Sequence, residues 1–203
     1  MQKIGIIILA AGASTRMNGK PKQLLEFEGK TLLRRAAETA LSSGARPIVI
    51  VLGANAEKLQ MEIKDLPVLP AINENWATGM GGSIKTGLSV LLAENTNIEA
   101  TILMLCDQLF VTAETLNRLV ETSQKTKKPI AACQYSDTLG VPALFAREMF
   151  AELSDLQGDA GAKAVIKKHA AEIATIPAPE AAFDIDTQAD FQKLLHSEYQ
   201  QNV

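Results

Sequence analysis

The strongest constraint on this chain is a set of short, continuous apolar runs separated by segments of helical period. Ile4-Gly5-Ile6-Ile7-Ile8-Leu9, Ile48-Val49-Ile50-Val51-Leu52 and Thr101-Ile102-Leu103-Met104-Leu105 carry no charge and are rich in β-branched residues. Runs of this length without apolar–polar alternation predict strands covered on both faces. Val68 to Ile72 reads as a further strand, and Ile130 to Cys133, Val141 to Phe145 and Ile173 to Ile176 as more extended segments. Between them, Leu32, Leu33, Ala36, Ala37, Ala40 and Leu41 share one helix face behind a Thr31 cap, with Gly44 ending the helix. A weaker helix is predicted from Asn55 to Lys64. Others carry Ile84, Leu88, Leu91 and Leu92, or Leu116, Leu119 and Val120 behind Thr112. Ala162 to Lys168 and Phe191 to Leu195 complete the set. Strands alternating with helices predict βαβ units around a mostly parallel sheet.

A chain of 203 residues is the size of one domain, taken here as 1–203. With 47% hydrophobic and 21% charged residues it has the balance of a globular protein, which excludes disorder and fibrous classes. The net charge of -3 argues against binding a phosphate polymer, and 4% aromatic residues leave little for stacking single strands, so no nucleic-acid partner is expected. The cysteines, Cys106 and Cys133, and the histidines, His169 and His196, show no zinc-site spacing. Neither histidine lies in a candidate loop, so both cysteines read as buried structural thiols. The Ile4 to Ala11 run is too short to cross a bilayer. Arg16, Lys20 and Lys22 follow it without a cleavage segment, so a cytoplasmic chain with no membrane contact is expected.

In a parallel sheet, ligands sit beyond the carboxyl ends of strands, where the strand order reverses. The loops after Leu9, Ile72 and Leu105 are therefore the places to look. The first runs Leu9-Ala10-Ala11-Gly12-Ala13-Ser14-Thr15-Arg16-Met17-Asn18-Gly19-Lys20-Pro21-Lys22-Gln23-Leu24-Leu25. Its small residues let a ligand approach backbone amides, Arg16 offers a planar fork and Lys22 a point charge. It reads equally as a tight strand-to-helix turn with solvated cations. Neither the dinucleotide glycine pattern nor the P-loop is present, which sets aside a dehydrogenase of the usual dinucleotide-binding type. Asp107, in Cys106-Asp107-Gln108, stands where a carboxylate can hold Mg²⁺ beside a phosphate, or simply where a turn ends. Phe183-Asp184-Ile185-Asp186-Thr187 supplies further carboxylates or a helix cap. The Asn73 to Ser83 loop can wrap a base or ribose, or merely connect, with Trp76 over the core. Gly158-Asp159-Ala160-Gly161 leads into a helix N-terminus, which attracts anions.

These segments together resemble a known family. Leu9-Ala10-Ala11-Gly12-x-Ser14-x-Arg16-Met17 and Pro21-Lys22-Gln23-Leu24-Leu25 are similar to the nucleotide-binding signature of the nucleotidyltransferase superfamily. Asn75-Trp76-x-x-Gly79-Met80, Cys106-Asp107-Gln108, Gly140-Val141-Pro142, Gly158-Asp159-x-Gly161-Ala162-Lys163 and Asp184-Ile185-Asp186-Thr187 follow in the matching order. They resemble the molybdenum cofactor cytidylyltransferases and their guanylyltransferase relatives. One departure is an extra residue in Arg16-Met17-Asn18-Gly19-Lys20, before Pro21.

The resemblance implies a Rossmann-like three-layer α/β/α domain of the nucleotidyltransferase, GT-A-like type. It implies transfer of CMP from CTP to molybdopterin phosphate with Mg²⁺, or Mn²⁺ in its place. In that assignment Arg16 meets the β- and γ-phosphates, Lys22 the α-phosphate, and Asp107 with Asp186 the metal, Asp184 being an alternative. Leu9, Ala10, Ala11 and Gly12, with Asn73, Gly79 and Ser83, would bind the nucleotide. Gly140, Val141, Pro142, Gly158, Asp159 and Gly161 would face the pterin. A molybdenum hydroxylase is implied as a transient partner. The alternatives are GTP as donor, a sugar or polyol phosphate as acceptor, and a non-catalytic carrier of nucleotide or cofactor.

Overall fold

A computed structural model describes residues 3–14, 17, 20–185, 187 and 189–194. The proposed site residues Arg16 and Asp186, and also His196, lie outside the described residues. The strands are β1 (Ile4–Ala10), the short pair β2 (Glu26–Phe27) and β3 (Lys30–Thr31), β4 (Ile48–Leu52), β5 (Leu69–Ile72), β6 (Ala100–Leu105), β7 (Ile130–Tyr135), β8 (Thr138–Ala146) and β9 (Ile173–Pro177). The helices are α1 (Leu32–Ser42), α2 (Ala56–Ile63), α3 (Met80–Glu94), α4 (Ala113–Thr126), α5 (Phe150–Ser154) and α6 (Ala162–Lys168). One more helix covers residues 189–194. None of the described helices is long and apolar enough to cross a membrane.

Seven strands form one sheet in the order β5-β4-β1-β6-β8-β7-β9. β1 and β4 are buried along their whole length, as their unbroken apolar runs require. β1 pairs in parallel with β4 on one side and β6 on the other. The chain therefore winds outward from β1 through β4 to β5, then returns to start the other half at β6. That reversal opens a crevice at the carboxyl ends of β1 and β6.

The expected parallel sheet holds except at β8, which is antiparallel to both β6 and β7. The cause is local. Ser136 and Asp137 form a two-residue connection with φ of 45° and 58°. A turn with both central residues in the left-handed region folds a chain straight back on itself as a hairpin.

Apolar side chains fill both faces of the sheet. Leu33, Ala37 and Ala40 of α1, Leu59 and Ile63 of α2, and Leu116 and Leu119 of α4 cover one face. Ile84, Leu88 and Leu91 of α3, Leu153 of α5, and Val165 and Ile166 of α6 cover the other. Thr31 caps α1 by accepting from Arg34 N, and Thr112 caps α4 by accepting from Thr115 N. α3 lies unusually near the sheet at Gly87, where a Cβ would sit 2.6 Å from Ile7 Cγ2 and 2.9 Å from Val51 Cγ2. This close approach carries the N-terminus of α3 to the rim of the crevice.

Candidate active site

The loops after β1, β5 and β6 meet around one cleft of about 580 Å³, within the roughly 300–1,000 Å³ of small-molecule sites. Leu9 to Ser14, Lys22 and Gln23 form one wall. Trp76, Gly79, Met80 and Ser83 form another, with Leu105, Cys106 and Asp107 between them. Asp159 and Asp184 also reach the cleft. Residues from 9 to 184 are thus brought together by the strand order.

Asp107 stands at the tip of β6, one step past the Cys106 N–H that donates to Leu9 O at 3.3 Å. Its carboxylate is ion-paired with the Lys22 ammonium, 85 residues earlier in the chain. The Asp107 side chain is only 7% exposed and that of Lys22 20%. A carboxylate this buried needs a cationic partner, and here Lys22 supplies it.

The first loop is held from below by Gln23, which is 1% exposed. Gln23 Nε2 donates to Ala10 O at 2.9 Å and to Gly12 O at 2.8 Å. Sequence reasoning gave Gln23 no role. Its only signal is an amide beside Leu24 and Leu25 in a short turn, and once buried such an amide must find partners.

The Asn73 side chain does not face the cleft. It is buried, donating through Nδ2 to Ser83 Oγ at 3.0 Å and accepting from Asn75 N at 3.1 Å. It shapes the turn that presents Trp76 and Gly79. Gly79 has φ of 114°, and a Cβ there would collide with the Gly158 carbonyl. Gly81 N donates to Gly158 O at 3.0 Å, and a Cβ on Gly161 would lie 2.6 Å from Met80 Sδ. The Gly158–Gly161 segment is therefore packed onto the start of α3, which places Asp159 at the cleft.

Gly140, Val141 and Pro142 lie on β8 and do not line this cleft among the described residues. They lie behind it. Gln108 Nε2 donates to Val141 O at 2.8 Å and to Ala181 O at 3.1 Å, so the residue after Asp107 ties β6 to β8 and to the segment leading to Asp184. Gly140 leaves room for the Tyr135 hydroxyl, which donates to Val141 O at 3.0 Å. Burial, with the nearby Asp184 second, pushes the Tyr135 phenol up to about 12. Burial foremost, and Asp107 next, push the Cys106 thiol well above its ordinary value. Buried in the wall of the cleft, Cys106 has the environment of a structural thiol.

No group of three or more His, Cys, Asp or Glu side chains clusters as a metal site among the described residues. Asp107 and Asp184 nevertheless give the cleft two hard oxygen donors. Mg²⁺ at phosphate-transfer sites is held by one or two carboxylates, with water and substrate phosphates completing its shell. The donor set suits that ion.

A doubly wound sheet with a small-residue loop, a lysine–aspartate pair and the N-terminus of a helix around one cleft defines a nucleotidyltransferase-type protein. The chain belongs to the MobA-like NTP transferase domain family, whose model matches residues 6–173. A curated relative, nicotine blue oxidoreductase of Paenarthrobacter nicotinovorans, is 31% identical over 197 residues, covering 93% of this chain and 95% of the relative. The structure of Rv0371C from Mycobacterium tuberculosis, in complex with manganese, superposes with a TM-score of 0.80 at 26% identity, covering 97% of this chain and 100% of that one. Molybdopterin-guanine dinucleotide biosynthesis protein A from Archaeoglobus fulgidus shares the fold, with a TM-score of 0.68 at 16% identity over 93% of this chain and 95% of that one.

Proposed function

We propose that this protein transfers a cytidylyl group from CTP to the terminal phosphate of molybdopterin and releases pyrophosphate. The observation that carries the proposal is the Lys22–Asp107 pair at the floor of a cleft edged by the small-residue loop. An acceptor phosphate oxygen attacks the α-phosphorus, the bond from that phosphorus to the β-phosphate bridging oxygen breaks, and pyrophosphate leaves with the electron pair. The nucleophile is already anionic, so no strong base is needed. Positioning and charge neutralisation supply the rate. Lys22 faces the α-phosphate, where negative charge is crowded as the acceptor approaches. Arg16 takes the β- and γ-phosphates. Asp107 holds Mg²⁺ or Mn²⁺ with Asp186 or Asp184, and that ion supplies Lewis-acid neutralisation of the phosphate chain.

Leu9 to Gly12 and the turn from Asn73 to Ser83 enclose the base and ribose. Asp159, with its neighbours Gly158 and Gly161, faces the pterin, while Gly140 to Pro142, expected there too, do not line the cleft and contribute through the Gln108 contact to Val141 O. The Ala10-Ala11-Gly12 form of the loop resembles that of the cytidylyl enzymes, whereas guanylyl relatives usually carry an extra glycine there, and this resemblance supports CTP over GTP. On this reading the finished cofactor passes to a molybdenum hydroxylase by transient contact in the cytoplasm.

A second reading follows from the full-length similarity to an oxidoreductase. The same cleft would then serve an oxidoreduction. One set of assays separates the readings: pyrophosphate release with molybdopterin, Mg²⁺ and either CTP or GTP, and oxidation of a supplied reductant with nicotine blue as the dye. Pyrophosphate with CTP alone supports the proposal. GTP turnover moves the donor, and dye-dependent oxidation without pyrophosphate overturns nucleotidyl transfer.

A further inference from the structure

The polarity of the first loop is decided by a side chain beneath it. The carbonyls of Ala10 and Gly12 accept from Gln23 Nε2, that of Ala11 accepts from Ala54 N at 3.1 Å, and that of Ser14 from Met17 N at 2.9 Å. In contrast, none of the N–H groups of Gly12, Ala13 and Ser14 is bonded to another described residue. Four of the loop's carbonyls are thus engaged, while the amides of Gly12 to Ser14 stand in the wall of the cleft with no partner among the described residues. A chain of exposed amides with the carbonyls engaged elsewhere is selective for anions.

Gln23 also reaches the other end of the loop. Its Oε1 accepts from Ser14 Oγ at 3.1 Å, and Ser14 Oγ in turn accepts from Lys22 N at 2.9 Å. Ser14 has φ of 54°, a conformation that a non-glycine residue keeps only when its surroundings hold it. The network therefore joins the loop conformation to the backbone of Lys22, whose side chain meets Asp107.

We infer that Gln23 is a positioning residue which, directly at Gly12 and through Ser14, holds the amides of Ala13 and Ser14 toward the phosphate chain, beyond the Leu9 to Gly12 stretch that encloses base and ribose, and sets the reach of Lys22. This rests on the nucleotidyl-transfer reading for the identity of the ligand, but not for the clamp itself. Gln23→Met keeps the length of the side chain and removes the amide. Ser14→Ala is the gentler variant, because Ser14 is only partly buried.

The test is titration calorimetry of the full chain with inorganic tripolyphosphate and with CTP, beside hydrogen exchange, without ligand, of the Met17, Lys22 and Ala54 amides, which donate into the loop. Gln23→Met is expected to weaken tripolyphosphate by about tenfold, equivalent to about 1.4 kcal/mol. Exchange should rise at those three amides and stay unchanged in α3 and β6. In turnover the nucleotide KM should rise more than kcat falls. A folded variant with unchanged exchange and affinity overturns the inference, as does a fall in melting temperature with no change in affinity. If Gln23→Met does not fold, the same two measurements on Ser14→Ala decide, with a smaller loss expected. Faster exchange in variants of a protein that binds neither polyphosphate nor CTP overturns the phosphate role and the nucleotidyl-transfer reading, while the clamp stands.

Discussion

Removing Lys22 tests whether the pair at the floor of the cleft is one energetic unit. A fully buried ion pair broken from one side costs about 3–5 kcal/mol, while an exposed pair contributes under about 1 kcal/mol. Here Asp107 is 7% exposed and Lys22 20%, at the edge of an open cleft. Lys22→Met should therefore destabilise by about 2 kcal/mol, between those limits. For a chain near 200 residues that is a fall of roughly 4–8 °C in melting temperature. Asp107→Asn should cost less, about 1 kcal/mol, since the longer lysine can turn its head to water. The double variant should be no worse than Lys22→Met, which makes the coupling about 1 kcal/mol. Urea unfolding of the four proteins without divalent metal measures it. Saturating Mg²⁺ should restore stability to Lys22→Met, by mass action on Asp107, and not to the double variant. Additivity within about 0.5 kcal/mol, or equal rescue of both variants by the ion, would refute the reasoning.

Other substitutions separate chemistry from framework. Asp107→Ala should abolish metal-dependent pyrophosphate release while circular dichroism stays that of the native fold; retained turnover would remove Asp107 from the metal site. Gly79→Ala combines φ of 114° with a collision at the Gly158 carbonyl. It should cost about 1–3 kcal/mol and speed protease cleavage near Gly158, read by mass spectrometry. Burial leads the causes that raise the Cys133 thiol from 9.0 to about 12, as it does for the Tyr135 phenol, from 10.0 to about 12. Above pH 9 the unfolded chain loses these protons first, so stability should fall between pH 9 and 12, seen as a falling melting temperature. By the same burial, neither Cys106 nor Cys133 should react with iodoacetamide at pH 8 until urea unfolds the chain.

Much of the fold was legible because it is locally coded. The runs at Ile4 and Ile48 needed two covered faces, and Thr31 and Thr112 cap α1 and α4 as their hydroxyls suggested. The loops after β1, β5 and β6 were identifiable as converging, since strand order in a doubly wound sheet leaves few places for a ligand. Asn73 was less legible. Its amide suits a base or a turn equally, and only the position of Ser83 on α3 decides for the turn. β8 was read as a strand but its direction was not, since the Ser136-Asp137 signal is weak without glycine.

The sequence by itself determined the two-faced strands, the helix caps and the family resemblance. The first two depend on residues within a few positions of one another, and the third on short motifs of that kind taken in order along the chain. Tertiary structure alone decided that Lys22 pairs with Asp107, that Gln23 takes up the carbonyls of Ala10 and Gly12, and that Gly79 meets Gly158. The physical reason is the same in each case. A buried charge, a buried amide and a missing Cβ specify only that a partner or a close neighbour is required. Which group answers depends on where the packed sheet and helices bring distant parts of the chain together.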